Sequence, residues 1–156
     1  MGYYVTLTQS NAYIPHDDLE RAYDLLCEIN QYNHLKGGGR WPREDKEGPH
    51  DGVWFSWMPW NYPDVLETAQ AVLECVGFDV YADDNGDLWI TSYNDKTGNE
   101  EHFLNALTPV LRGALGEPAR FVWVGEDHDM WMQEMHESPT TDYKELVTKQ
   151  ARIIWE

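Results

Sequence analysis

Few segments of this chain place reactive side chains at spacings that chemistry requires. The densest is Asp83-Asp84-Asn85-Gly86-Asp87, where Asp83, Asn85 and Asp87 alternate as the first oxygen ligands of an EF-hand calcium loop do. That loop also needs glycine at its sixth position and glutamate at its twelfth. Here Gly86 does not fall on the sixth position, and Tyr93, Asn94 and Asp95 supply no glutamate. The segment therefore reads as a hairpin turn, with Asn85 and Gly86 supplying the positive φ that such turns demand. A second cluster, Glu126-Asp127-His128-Asp129 with His136 further on, meets no hydrolytic or structural metal spacing and reads as an acidic turn.

Phosphate loops and nucleophile motifs are missing. The glycines 37–39 run into Arg40 and Trp41 with no Gly-Lys-Ser/Thr, and Ser56 and Ser92 lack a nucleophile-elbow context. Cys27 and Cys75 lie in helical apolar patterns without metal-ligand spacing, as core thiols do. With 28 Asp and Glu in the chain, no particular acid–base pair is singled out. No catalytic residue, metal ligand or cofactor is assigned.

The elements that must position these residues follow from length and periodicity. A chain of 156 residues forms one ordinary domain, and 42% hydrophobic with 13% aromatic residues supply a core. No run approaches the roughly 20 apolar residues of a membrane span. Without a leader pattern at the start, the chain is expected in the cytoplasm. Tyr3, Val5 and Leu7 alternate with Tyr4 and Thr6 as a first strand does, which opposes the loose myristoylation match at Gly2 and Thr6. Leu19, Ala22, Tyr23, Leu26, Ile29 and Tyr32 predict a helix over residues 17–35, with Asp17 and Glu20 at capping-box spacing. A long loop follows to Gly52, and Val53, Phe55 and Trp57 predict a short strand stopped by Pro59.

A second helix is predicted over residues 63–76, closed by Gly77. Strands at 78–82 and 88–93 flank the Asn85-Gly86 turn, and a third helix spans about 99–111, shortened or kinked by Pro109. Strands follow at 119–124 and 130–135, with a closing strand within 145–155. The predicted class is α+β: a single domain, 1–156, with a mostly antiparallel sheet covered by about three helices.

Charge is the strongest functional signal. The 28 acidic residues face 11 Lys and Arg, for a net charge of -17. Such a surface repels nucleic-acid backbones and anionic lipid and favours a basic protein. Each acidic cluster alone is explained by turn and helix-start preferences, but the shortage of compensating cations is not. Asp83, Asp84, Asp87, Glu126, Asp127 and Asp129 are therefore the candidate interaction surface, where spaced carboxylates imitate a phosphate array. Eight tryptophans add anchors: Trp57, Trp89 and Trp123 are expected in the core, and Trp41 and Trp60, in loops, as an exposed platform.

Together the segments MGYYVTLT, LKGGGRW, WFSWM before YPDVLE, GFDVY, KTGNEEHFL and VGEDHDMW resemble a group of small acidic proteins of bacteriophages, particularly those infecting actinobacteria. The resemblance spans most of the chain, excepting residues 136–149, and carries over no catalytic residue. It implies an accessory protein that binds and blocks a host factor, such as a defence nuclease or transcription protein. Two other readings stand beside it: a module stacking a nucleotide-like ligand on Trp41, Trp54 or Trp60, and an enzyme using a carboxylate pair or a metal near His128.

Overall fold

The computed structural model describes residues 3–37, 53–137 and 144–150. It is an α+β domain: helices pack on a single sheet whose strand pairs are all antiparallel. The strands are β1 (Val5–Ser10), β2 (Ala12–Ile14), β3 (Phe78–Ala82), β4 (Leu88–Asp95), β5 (Arg112–Gly113), β6 (Arg120–Gly125), β7 (Met130–Glu137) and β8 (Lys144–Gln150). The helices are α1 (Leu19–Glu28), α2 (Tyr62–Val65), α3 (Ala69–Val76) and α4 (Glu100–Ala106). Among the described residues no helix is long and apolar enough to cross a membrane.

β4 is the organising strand. β3 runs along one edge, while β1 and β2 share the other: Leu7 opposes Tyr93 and Tyr13 opposes Trp89. β6 continues the sheet beyond β1, followed by β7 and β8, and β5 flanks β2. Two bulges set the phase of the pleat. In β4, Asp79 opposes Ser92 but Val80 opposes Ile90, so Thr91 is an extra residue. Because side chains alternate with period two, that insertion lets Leu88 and Ile90 and then Tyr93 all face the core. In β1, Leu7 opposes Trp123 and Gln9 opposes Val122, so Thr8 is extra, its hydroxyl donating to the Val122 carbonyl at 3.1 Å. The inward phase thus shifts from Val5 and Leu7 to Ala12 and Ile14.

The helical layer buries Ala22 and Leu26 of α1, Val72, Leu73 and Val76 of α3, and Phe103 and Leu104 of α4. These helices touch one another, and α3 also touches β3. Rings fill the space beneath. Phe103 lies 5.0 Å from Phe55 and 5.9 Å from Tyr62 between centroids, and Tyr93 joins Phe78 to Trp123 at 4.8 and 5.9 Å. Each buried polar ring atom here has a partner, as burial requires: Tyr62 donates to the Leu26 carbonyl at 2.5 Å, and Trp123 Nε1 to Gln133 Oε1 at 3.0 Å.

Several sequence expectations are corrected. The helix expected over 17–35 is α only from Leu19 to Glu28, flanked by 3-10 turns, and makes no side-chain cap at its start. Residues 53–58 do not form a strand. Phe55 and Met58 are buried, and a turn closes between them, with Met58 N–H donating to the Phe55 carbonyl at 3.0 Å. The single helix expected over 63–76 is two. It breaks at Leu66, and α3 restarts with Thr68 as its cap, the hydroxyl accepting from Ala71 N–H at 3.0 Å. β2 and β5 went unpredicted because three and two residues are too few to show alternation. Gly77 closes α3 as expected, at φ 124, where a Cβ would meet the Tyr93 ring at 2.9 Å.

Candidate functional site

The two acidic turns share one design. In the first, Gly86 N–H donates to the Asp83 carbonyl at 2.9 Å, and Gly86 takes φ 81. In the second, His128 N–H donates to the Gly125 carbonyl at 2.9 Å, and His128 takes φ 71 where glycine would be relaxed. The carboxylates complete these loops. Asp83 Oδ1 accepts from Asn85 and Asp87 N–H at 2.9 and 3.0 Å, and its Oδ2 from Trp89 Nε1 at 2.8 Å. Those bonds hold the Asp83 carboxyl below its ordinary range, the Trp89 bond first among them. Asp87 accepts from His16 N–H at 2.9 Å. Asp127 accepts from the Tyr3 hydroxyl and from Asp129 N–H, which likewise lowers its pKa, while the Tyr3 hydroxyl is raised by the same contact.

The sheet does not bring the two clusters together. Val5 opposes both Asp95, at the end of β4, and Gly125, whereas Asp83 to Asp87 precede Leu88, at its beginning. An eight-residue strand separates them, roughly 23 Å at about 3.3 Å per step. Asp84, Glu126 and Asp129 are exposed. Of the predicted surface, the carboxylates of Asp83, Asp87 and Asp127 are thus taken up in hydrogen bonds within the domain, and the remainder stands at opposite ends of it.

The tryptophans divide differently from expectation. Trp123 is 1% exposed, as a core residue should be. Trp57 is not in the core: it is 80% exposed. The reason is the turn at 55–58, which replaces the strand whose alternation would have pointed Trp57 inward. Trp57 occupies its third position at φ 67, a left-handed conformation that costs a bulky residue about 1–2 kcal/mol. The turn is pinned from below, because Asn99, itself buried, donates from Nδ2 to the Ser56 carbonyl at 2.8 Å. Trp89 is only partly buried, stacked on Tyr13 at 4.7 Å on the sheet face away from the helices. Trp60 is 37% exposed, and its carbonyl accepts from Asn30 Nδ2 at 3.1 Å. Trp41 lies outside the described residues.

Beside Trp60 runs a groove of about 450 Å³ between the second half of α1 and the start of α2, lined by Asp24, Cys27, Glu28, Asn30, Pro63 and Asp64 among others. Among the described residues no basic side chain lines it. Asp24, Glu28 and Asp64 are exposed carboxylates that sequence reasoning passed over, since each looks like any solvent-facing helical residue. Burial pushes the Cys27 thiol upward, so it stays protonated and unreactive near neutrality.

Enzyme-like constellations are sparse. Among the described residues no group of three or more His, Cys, Asp or Glu side chains can hold a metal ion. One carboxyl is distinctive. Glu100, at the start of α4, receives the Tyr93 hydroxyl at 3.2 Å, and burial, reinforced by Glu101 and Asp95, raises its pKa. A raised pKa means that the folded state holds the proton more tightly than the unfolded chain. Its contribution to stability is therefore full below the ordinary value of 4.5 and is lost as pH climbs through the folded value. Glu100→Gln is expected to flatten the dependence of the urea midpoint on pH above 4.5, a slope identical to wild type being the contrary result.

Comparison with known proteins finds no matching family model, no similar curated protein and no similar solved structure.

Proposed function

We propose that this chain is a non-enzymatic binding protein that occupies and inhibits a basic protein, with an exposed tryptophan turn as its anchor and carboxylates as its rim. The observation that carries this reading is Trp57, displayed at 80% exposure on a backbone held in a strained conformation. Strain of that kind persists only where surrounding structure imposes it and is concentrated at binding and active sites. Tryptophan is among the residues enriched at the energetic centres of protein interfaces. Trp60, three residues along the chain from Trp57, lines an acidic groove with Asp24, Glu28 and Asp64, and a net charge of -17 adds long-range attraction for a cationic partner. A partner of the kind implied by the phage resemblance, a nucleic-acid-binding host protein, has the required charge. The separation of the two acidic hairpin turns favours this local groove over a single continuous mimic of a phosphate array.

The test is capture of basic nucleic-acid-binding proteins from host extract by immobilised protein, repeated from low to high salt. Specific capture that weakens steeply between about 50 and 500 mM salt is expected, because the Debye length falls from about 14 to 4 Å over that range. Capture indifferent to salt, or no capture, overturns the reading.

A further inference from the structure

We propose a second, small-molecule site: the cavity between the first turns of α1, the start of α3 and the turn end of β3–β4, with a protonated alkyl or aryl amine as its ligand. The cavity measures about 340 Å³, within the range of small-ligand pockets. Leu19, Tyr23, Ala69 and Leu88 give it an apolar wall, and Glu20 and Glu67 stand at it as carboxylates.

The cavity exists because the helical stretch from Tyr62 to Val76 is broken. An apolar stripe runs through both halves, so an unbroken helix would suit the sequence. The structure departs from it at Leu66, leaving Val65 53% exposed. Tyr23 stabilises the departure, its single O–H shared between the carbonyls of Leu66 at 2.6 Å and Pro63 at 2.9 Å. Those carbonyls would otherwise lack partners at a helix end. Glu67, Thr68, Ala69 and Gln70, the break and restart, then form one side of the cavity.

Charge selects the ligand. Among the described residues no Lys, Arg or His lines the cavity, and neither Glu20 nor Glu67 belongs to an ion pair. An anion would meet two carboxylates, and a neutral apolar molecule would use the apolar wall alone. An ammonium group on an apolar body satisfies both wall and carboxylates. This site is distinct from the tryptophan turn, and its failure leaves the protein-binding reading untouched.

The experiment is titration of the full chain with hexylammonium, hexanol and hexanoate, followed through backbone amide NMR shifts. Hexylammonium is expected to give saturable shifts at Leu19 to Tyr23, Glu67 to Gln70 and Leu88, with Kd on the order of millimolar for so small a ligand. Hexanol and hexanoate should bind at least about tenfold more weakly, and E20Q/E67Q should weaken hexylammonium by roughly tenfold. Both glutamates are exposed, so that variant should keep the wild-type spectrum elsewhere. Equal response to all three probes, no saturable shift, or undiminished binding by the variant overturns the proposal.

Discussion

Trp57→Gly is expected to move stability and binding in opposite directions. Glycine relaxes the φ 67 position, recovering about 1–2 kcal/mol, while its greater freedom in the unfolded chain costs about 0.5–1 kcal/mol. Because the indole is 80% exposed, its removal sacrifices little burial. The folded state should gain up to about 1 kcal/mol, seen as an equal or higher urea midpoint. Loss of a hot-spot tryptophan at an interface costs about 2 kcal/mol or more, so partner affinity should fall at least about 30-fold. A variant that is no less stable but fails to capture its partner is the signature of a residue kept for binding. Retained capture would remove Trp57 as the anchor, and a large loss of stability would show that its ring has a structural role.

Phe103→Ala should be the more damaging change to the fold. Its ring is fully buried, and it joins α4 to Phe55 and Tyr62, the residues that bracket the Trp57 turn. Truncating a buried phenylalanine costs about 3–5 kcal/mol, a large part of the 5–15 kcal/mol that stabilises a typical domain. Denaturant unfolding should show the loss directly, whereas Phe103→Leu, which leaves a smaller cavity, should cost visibly less. Equal costs for the two would mean that the cluster relaxes to fill the space. Partner capture by Phe103→Ala should also decline under native conditions, since the buried face of the 55–62 segment loses its support.

Local patterns were legible where the chain alternates or caps itself with residues of one clear preference. The hairpin around Gly86, the strands at 120–125 and 130–137, and the close of α3 at Gly77 all follow from short-range chemistry. Reading failed where two local signals agreed and a distant contact overruled them. The stripe from Val65 to Val76 asks for one helix, but the Tyr23 hydroxyl, far away in sequence, stabilises the carbonyls of a break. The alternation of Val53, Phe55 and Trp57 asks for a strand, but Asn99 holds Ser56 in a turn.

The candidate site shows the same division. That the chain carries a large negative charge and many tryptophans is a property of composition, independent of conformation. Where those groups stand relative to one another is not. The two acidic turns are alike in sequence, yet antiparallel pairing of β4 with β1, and of β1 with β6, sends them to opposite ends of the sheet. The sequence by itself determined the α+β class and the hairpins, because they depend on neighbours a few residues apart, and the sign of the charge, because composition alone fixes it. Only the tertiary structure decided that Trp57 faces solvent, that three carboxylates of α1 and α2 share a groove with Trp60, and that a cavity opens at the α2–α3 break. Each depends on contacts between segments distant along the chain, which no local preference encodes.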